Sequence, residues 1–432
     1  MQLSPMRKPF ISRMRMPGDK SITHRAILFS TLMRGTSEIQ GWLRAGDTEA
    51  SLRVAQAFGT KVREKSGDRL ILEGAGGIMA WTEPRQPIDC GNSGTTTRLA
   101  TGLATGHRGY LTVLYGDESL SQRPMARVTG PLADLGASVW TRQGGLAPIA
   151  IKGGGVSGGT VHLKVASAQV KSSLLLAGLL GGGSLTVGEP IATRDHTERM
   201  LTAMGAKMVT QPEVAGFRIT VDPHPEAFPA VDVKVPGDPS SGAFWATLAA
   251  LLPGSRLVLE SVSLNPGRLG FYRLLQAMGA AIEFQERGRD PEPWGDILIA
   301  HGALRAVDVV RQQVPAMIDE LPLVALLASQ AKGVTTVTGA EELRVKESDR
   351  IKTTMEGLVR MGSQIEELPD GLRVHGPTSL RGTVVNAHRD HRIAMMLTIA
   401  SAVAEGSTEL EGGEAVAISY PAFFETYGTI AK

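Results

Sequence analysis

At 432 residues the chain is long enough for two domains, each with its own core, and its 42% hydrophobic and 20% charged residues are those of an ordinary soluble globular protein. A formal net charge of +2 and an aromatic content of 5% give neither an electrostatic nor a stacking basis for nucleic-acid binding. No apolar run approaches the roughly 18–20 residues that span a bilayer, and the single cysteine, Cys90, excludes an intramolecular disulfide and fits a reducing compartment.

The N-terminus is basic (Arg7, Lys8, Arg13, Arg15) but lacks an apolar signal core, so a strand is expected over 10–16 and a cytoplasmic location for the protein. Next comes Met16-Pro17-Gly18-Asp19-Lys20-Ser21-Ile22-Thr23-His24-Arg25. Pro and Gly break the preceding segment, Asp19 or Ser21 can cap a helix, and an apolar run follows. Lys20 and Arg25 then lie beside the positive end of a helix dipole, where a cation is unfavourable unless an anion docks.

Two signals recur down the chain. The first is an apolar helix with a polar start and a stop glycine, followed by a β-like run; the stop glycines are Gly35, Gly106, Gly181, Gly254, Gly333 and Gly406, spaced 71, 75, 73, 79 and 73 residues apart. They are expected to take the left-handed conformation that ends a helix. The second is a helix closing on Gly59, Gly136, Gly205, Gly279, Gly362 and Gly428, spaced 77, 69, 74, 83 and 66 apart. A shared period of about 72 residues predicts six α/β units, each with a buried first helix and a more amphipathic second one. Val235-Pro236-Gly237-Asp238-Pro239-Ser240 repeats the Met16–Ser21 pattern half a chain later, which predicts two equivalent halves of three units and two crossings between them. If the halves face each other at their helix N-termini, the cleft attracts anions and bound anions draw the halves together.

Polar and charged residues stand at those helix starts: Lys20, Ser21 and Arg25; Asn92, Ser93, Thr95 and Arg98; Arg123; Ser167, Gln169 and Lys171; Arg194, His196 and Glu198; Arg268; Asp319; Lys346, Glu347 and Arg350; Arg389, His391 and Arg392. Arg suits bidentate recognition of carboxylate and phosphate, and Lys serves as a compact point charge. Singly, several read better as structure, and only jointly, gathered at one pole, do they read as an anion site. Arg123 before a proline suits a solvated turn, and Lys346 to Arg350 suit a charged first turn. One carboxylate between the imidazoles of His388 and His391 is weak as a metal set, and Cys90 beside Gly91 suits a small buried residue. Gly18-Asp19-Lys20-Ser21 lacks the glycines of a P-loop, and no glycine run has the dinucleotide-binding spacing, so no cofactor and no metal are expected.

Gly18-Asp19-Lys20-Ser21…Arg25, Gly91-Asn92-Ser93-Gly94-Thr95…Arg98, Ser167-Ala168-Gln169-Val170-Lys171, Arg344-Val345-Lys346-Glu347-Ser348-Asp349-Arg350 and Asp390-His391-Arg392 together resemble the 5-enolpyruvylshikimate-3-phosphate synthase family over essentially the whole chain. The resemblance implies the two-domain enolpyruvyl transferase fold, an inside-out α/β barrel of six βαβαββ-type repeats. It places a discontinuous domain at 1–18 and 237–432 and an inserted domain at 19–236. It implies transfer of the carboxyvinyl group of phosphoenolpyruvate to the 5-hydroxyl of shikimate 3-phosphate with release of phosphate, so that these small molecules are its partners. A monomer is expected, with no nucleic-acid or membrane partner. The two substrates carry about −5 to −6 in all, which matches the cationic helix starts.

By the family pattern, Asp319, Glu347 and Lys20 are catalytic. Shikimate 3-phosphate falls to Lys20, Ser21, Arg25, Ser167, Ala168, Gln169, Arg194, Asp319 and Lys346. Phosphoenolpyruvate falls to Lys20, Asn92, Gly94, Thr95, Arg123, Gln169, Arg350 and Arg392. His196 carries over as a position only, where the family can present a tyrosine. The chain departs from the pattern at Ile418, where one branch has a lysine, and at Leu99, where that branch has proline. The resemblance leaves open which carboxylate moves which proton, and whether an inhibitor such as glyphosate is tolerated. Two alternatives are a UDP-N-acetylglucosamine enolpyruvyl transferase, disfavoured by the Lys20-Ser21 start and the place of Cys90, and a non-catalytic binder, which two retained carboxylates would serve poorly.

Overall fold

The computed structural model describes residues 1–214 and 216–431. The chain forms two compact units, a discontinuous one of Met1–Pro17 with Pro236–Lys432 and an inserted one of Gly18–Val235. The inserted unit holds helices α1 (Lys20–Phe29), α2 (Gly46–Ala57), α3 (Gly94–Thr105), α4 (Ala126–Asp134), α5 (Ala168–Leu179) and α6 (His196–Met204). The discontinuous unit holds α7 (Pro239–Leu251), α8 (Gly270–Met278), α9 (Leu321–Gln330), α10 (Arg350–Arg360), α11 (His391–Val403) and α12 (Phe423–Ile430).

Local chemistry explains where most of these helices start. The side chains of Asp19, Ser93, Ser167, Asp238, Asp349 and Asp390 each accept the backbone N–H of the second or third residue of the helix that follows. The odd-numbered helices are apolar almost all round and lie buried, as with α11, where every residue from His391 to Ala402 is enclosed. α10 instead buries Arg350, Ile351, Thr353, Thr354, Gly357 and Leu358, the one-sided spacing of a helix laid on a core. Trp245 of α7 anchors the discontinuous unit's core, stacking on Phe423 at 4.9 Å and donating from Nε1 to the Tyr420 hydroxyl at 3.2 Å.

The first four repeats share one topology, βαβαββ, each sheet with a parallel pair followed by antiparallel neighbours: in the second repeat Ile88–Asp89 runs parallel to Leu111–Tyr115, which pairs antiparallel with Leu146–Lys152, which pairs with Ser138–Arg142. In the fifth repeat the parallel partner is reduced to isolated bridges, Arg305 to Lys332 and Val309 to Val337, beside three antiparallel strands. Two repeats borrow their first strand. Ile11–Arg15, just ahead of α1, runs parallel to Arg256–Ser263 in the discontinuous unit, and Val233–Lys234, just ahead of α7, runs parallel to Thr36–Gln40 in the inserted unit. The sixth repeat is completed by the N-terminus, where Gln2–Leu3 pair antiparallel with Thr408–Glu411. Both crossings are therefore strand–turn–helix passages with the same Pro-Gly-Asp turn. Gly18 is required there because a Cβ would stand 1.8 Å from the Gly41 carbonyl oxygen.

The glycine markers are of two kinds. Gly35, Gly254, Gly333 and Gly406 take the left-handed conformation, as do Gly59, Gly136, Gly205, Gly279 and Gly362. Gly106 and Gly181 do not. A Cβ on Gly106 would stand 2.6 Å from Leu180 Cβ and one on Gly181 2.7 Å from the Val156 carbonyl oxygen, so closeness of neighbours, not handedness, keeps these two free of side chains. Gly428 ends nothing; it lies inside α12.

Candidate active site

Side-chain bonds tie together all six helix starts of the inserted unit. Lys20 Nζ at the start of α1 donates to Asp47 Oδ2 at the start of α2, 2.9 Å away. Arg25, one turn further, is buried and donates from Nε to Thr197 Oγ1 and from Nη2 to Ser172 Oγ, both at 2.7 Å, and from Nη1 to the Ser21 carbonyl at 3.0 Å. It thereby joins α1 to α5 and α6. Gln169 on α5 donates to Thr95 Oγ1 on α3 at 2.8 Å and accepts from Arg98. Arg98 also reaches the Pro124 carbonyl ahead of α4, and Arg123 donates to Asn92 Oδ1 and to Ser119 Oγ.

Gly94 makes room for this pair of guanidinium groups. A Cβ there would stand 2.9 Å from Arg98 Nη1 and 3.4 Å from Arg123 Nη1. Asn92, Gly94, Thr95, Arg98, Arg123 and Gln169 consequently form one cationic cluster at a helix N-terminus, the kind of arrangement that receives phosphate or carboxylate. Ser167 caps α5, with Ala168 as its first residue, and Arg194 lies in the turn leading to α6.

In the discontinuous unit the centre is Arg350, fully buried at the start of α10. It donates from Nε to Asp390 Oδ2 at 2.8 Å, from Nη2 to Asp390 Oδ1 at 3.2 Å and from Nη2 to Glu347 Oε2 at 2.6 Å. Its Nη1 lies 3.6 Å from Asp319 Oδ1. Burial opposes the charge of the guanidinium, but Asp390 and Glu347 outweigh it and hold Arg350 well above its ordinary pKa. Burial would likewise raise Asp390, yet Arg350 prevails and holds that carboxyl below the usual carboxylate range. Ser348 Oγ donates to Asp390 as well, at 3.0 Å.

Asp319, in the single turn before α9, has cations on three sides: Lys346 Nζ at 3.8 Å, Arg350 Nη1 at 3.6 Å and Arg392 Nη2 at 4.0 Å. Arg392 also donates from Nη1 to the Asp319 carbonyl at 3.1 Å and to Glu320 Oε1 at 3.4 Å. Asp319, Lys346, Glu347, Arg350 and Arg392 are thus brought together from three helix starts. The charge balance differs from that expected, because Asp319, Glu320, Glu347 and Asp390 more than offset Lys346, Arg350 and Arg392.

Two of the helix-start cations do structural work. Lys171 is buried between Glu189 Oε1 at 3.1 Å and Glu198 Oε1 at 2.7 Å; desolvation opposes its charge, but Glu198 and Glu189 outweigh it and raise its pKa. Arg268 is buried against Asp238 Oδ1 at 2.6 Å and Ser240 Oγ at 3.0 Å, bracing the α7 turn. Burial pushes the Cys90 thiol up to about 12, which leaves it inert at neutral pH. Asp390, placed between His388 and His391, is committed to Arg350, and among the described residues no group of three or more His, Cys, Asp or Glu is set to hold a metal.

Sequence reasoning missed Asp47, Ser172 and Thr197 as partners of Lys20 and Arg25. Asp47 carried a usable signal, since it stands at the start of a second helix as Lys20 stands at the start of a first. Ser172 and Thr197 carried none, because small hydroxyl residues inside apolar helices are too common to single out.

A family model described as EPSP synthase (3-phosphoshikimate 1-carboxyvinyltransferase) matches residues 6–427. A protein of Sulfurihydrogenibium sp. named 3-phosphoshikimate 1-carboxyvinyltransferase is 44% identical over 421 residues, covering 97% of each chain. The solved structure of EPSP synthase from Acinetobacter baumannii is similar with a TM-score of 0.85 at 36% identity, covering 99% of this chain and 97% of that one. The enolpyruvyl transferase NikO from Streptomyces tendae shares the fold, with a TM-score of 0.78 at 17% identity over 99% of this chain and 96% of that one.

Proposed function

Because the chain belongs to the EPSP synthase (3-phosphoshikimate 1-carboxyvinyltransferase) family, we propose that its two charged clusters share the work of carrying the enolpyruvyl group of phosphoenolpyruvate to the 5-hydroxyl of shikimate 3-phosphate. Lys20, Ser21, Arg25, Ser167, Ala168, Gln169 and Arg194 of the inserted unit bind shikimate 3-phosphate, with Asp319 and Lys346 of the discontinuous unit at its hydroxyl end. Lys20, Asn92, Gly94, Thr95, Arg123, Gln169, Arg350 and Arg392 receive phosphoenolpyruvate.

The reaction needs an acid, a base and stabilisation of developing charge. The 5-hydroxyl gives up its proton to the base as its oxygen attacks C2 of phosphoenolpyruvate, and C3 takes a proton from the acid, giving a tetrahedral ketal phosphate. The C2–O bond to phosphate then breaks and a proton leaves C3, restoring the double bond. Asp319 stands at the hydroxyl, Glu347 at the methylene carbon, and Lys20 balances charge.

The observation that carries this reading is Asp319 with Lys346, Arg350 and Arg392 all within 4.0 Å, next to Glu347 on the same Arg350. These carboxylates are held among cations instead of being directed to solvent, which suits groups that must stay charged beside anionic substrates. The test is phosphate release from phosphoenolpyruvate with and without shikimate 3-phosphate. Release is expected only with shikimate 3-phosphate, and Asp319→Ala and Glu347→Ala should fold normally yet lose turnover. Release with UDP-N-acetylglucosamine alone would reverse the choice of acceptor, and full activity in either variant would remove that carboxylate's role.

We further take the protein to act as a cytoplasmic monomer with no nucleic-acid partner. The single buried thiol suits a reducing compartment, and the near-neutral charge offers little to a polyanion. No helix among the described residues is long and apolar enough to cross a membrane.

A further inference from the structure

α1 and α2 face each other through two rungs one helical turn apart. The upper rung is Lys20 Nζ on Asp47 Oδ2 at 2.9 Å. Four residues further along both helices, the lower rung is His24 Nδ1 against Ser51 Oγ at 2.8 Å. The upper rung is partly open to solvent, with 20% of the Lys20 side chain exposed, whereas His24 and Ser51 are fully enclosed. Ser51 Oγ lies 2.8 Å from Thr96 Oγ1, whose single hydrogen has Ser93 Oγ at 2.8 Å and the Asp47 carbonyl at 3.3 Å as acceptors. Ser93 is the cap of α3, the residue before Gly94.

Packing alone does not call for an imidazole here. An apolar ring of similar size would fill the space without burying a polar chain, since replacing both partners of a buried hydrogen bond by apolar groups is often neutral. Burial pushes His24 down to about 3, so the ring is neutral, and its Nε2 has no hydrogen-bond partner among the described residues. With the one Thr96 hydrogen directed to Ser93 Oγ or the Asp47 carbonyl, Ser51 donates to Thr96 and Nδ1–H of His24 donates to Ser51. That leaves Nε2 as the bare lone pair, which costs less to bury than an unmet N–H.

We propose that His24 is a positioning residue for Lys20: the His24–Ser51 rung, anchored on Thr96, fixes the register of α1 on α2 and holds Asp47, and so sets where the Lys20 ammonium stands. When anionic substrate draws Lys20 away from Asp47, the lower rung keeps the two helix starts in place. The inference rests on the reading of Lys20 as a substrate-contacting residue.

The test is a double-mutant cycle read by kcat/KM for both substrates, with thermal midpoints recorded alongside. In His24→Phe the ring is kept and the hydrogen bond removed; in His24→Asn a polar atom of the amide stands where Nδ1 stood. We expect His24→Phe to lower kcat/KM about tenfold or more and His24→Asn to recover it to within about threefold, while His24→Phe added to Lys20→Met costs less than about threefold further. If Lys20→Met cripples the enzyme but His24→Phe does not, the proposal fails and the site reading stands. If Lys20→Met is fully active, the site reading fails. A His24→Phe loss that multiplies undiminished onto Lys20→Met shows that His24 acts elsewhere and overturns the proposal. Should His24→Phe not fold, Ser51→Ala, which removes the middle hydroxyl, decides by the same criteria.

Discussion

Arg350 holds both carboxylate oxygens of Asp390, at 2.8 and 3.2 Å, with 1% of the Arg350 side chain and 0% of the Asp390 side chain exposed. Asp390 also caps α11 by accepting the Arg392 N–H at 2.9 Å, so a single carboxylate sets two cations of the site. Removing one partner of such a pair leaves a buried charge unmet and costs about 3–5 kcal/mol. Asp390→Ala should therefore lower the urea midpoint sharply, and its folded fraction should also lose turnover, because Arg350 and Arg392 lose their common support. Arg350→Lys should fare little better, since an ammonium cannot serve Asp390 from two nitrogens and Glu347 at once.

Gly94→Ala separates binding from folding. The added Cβ meets the tips of Arg98 and Arg123, which are the far ends of flexible side chains, so the fold yields at small cost. Stability should change by less than about 1 kcal/mol, the range of a substitution whose neighbours can move. KM for phosphoenolpyruvate should rise several-fold, because the displaced Arg98 leaves Gln169. Steady-state kinetics alongside a thermal melt checks both halves of this prediction.

Acid should weaken the protein through its buried histidines. Burial lowers His24 to about 3 and His107 to about 4, whereas in the unfolded chain each has a pKa near 6.5. Between those values the unfolded state holds a proton that the folded state lacks, so stability is complete above about pH 6.5 and falls as the pH drops. Each such group contributes a slope of about 1.4 kcal/mol per pH unit in that window. Denaturant titrations at pH 4.5 to 6.5 should show a slope one proton shallower in His24→Asn than in the native chain.

Lys171 should prove structural. Lys171→Met leaves Glu189 and Glu198 buried without their cation, and the loss of about 3–5 kcal/mol expected for a broken buried pair should appear in the melting curve. Replacing both glutamates together with the lysine by apolar residues should recover much of that stability, which a ligand-binding lysine would not allow.

Cys90 should be silent. With its thiol pushed up to about 12 and its side chain enclosed, thiol reagents at pH 8 should label it only on unfolding, and Cys90→Ala should keep full turnover.

The repeat architecture was legible because its causes are local. Caps such as Asp19, Ser93, Ser167 and Asp390, left-handed glycines such as Gly205 and Gly279, and apolar helices at a common spacing each act within a few residues, so linear order carries them. The Pro-Gly-Asp turns at Gly18 and Gly237 marked the crossings for the same reason. Direction and pairing were not legible. Nothing local distinguishes Lys171, turned into the core onto Glu189 and Glu198, from Lys20, held at a half-open helix start against Asp47. Gly428 matched its marker pattern and yet lies mid-helix, because packing of the last helix overrides a single residue's preference. Arg350 meets Asp390 forty positions away only once α10 and α11 are packed side by side. The opening stretch shows the division most clearly. The sequence alone determined that Met16–Arg25 is a turn, a cap and two cations at a helix start; tertiary structure decided that one cation pairs with Asp47 while the other is buried among Ser172, Thr197 and the Ser21 carbonyl, since those partners come from helices the chain reaches 27 to 172 residues later or from Arg25's own turn.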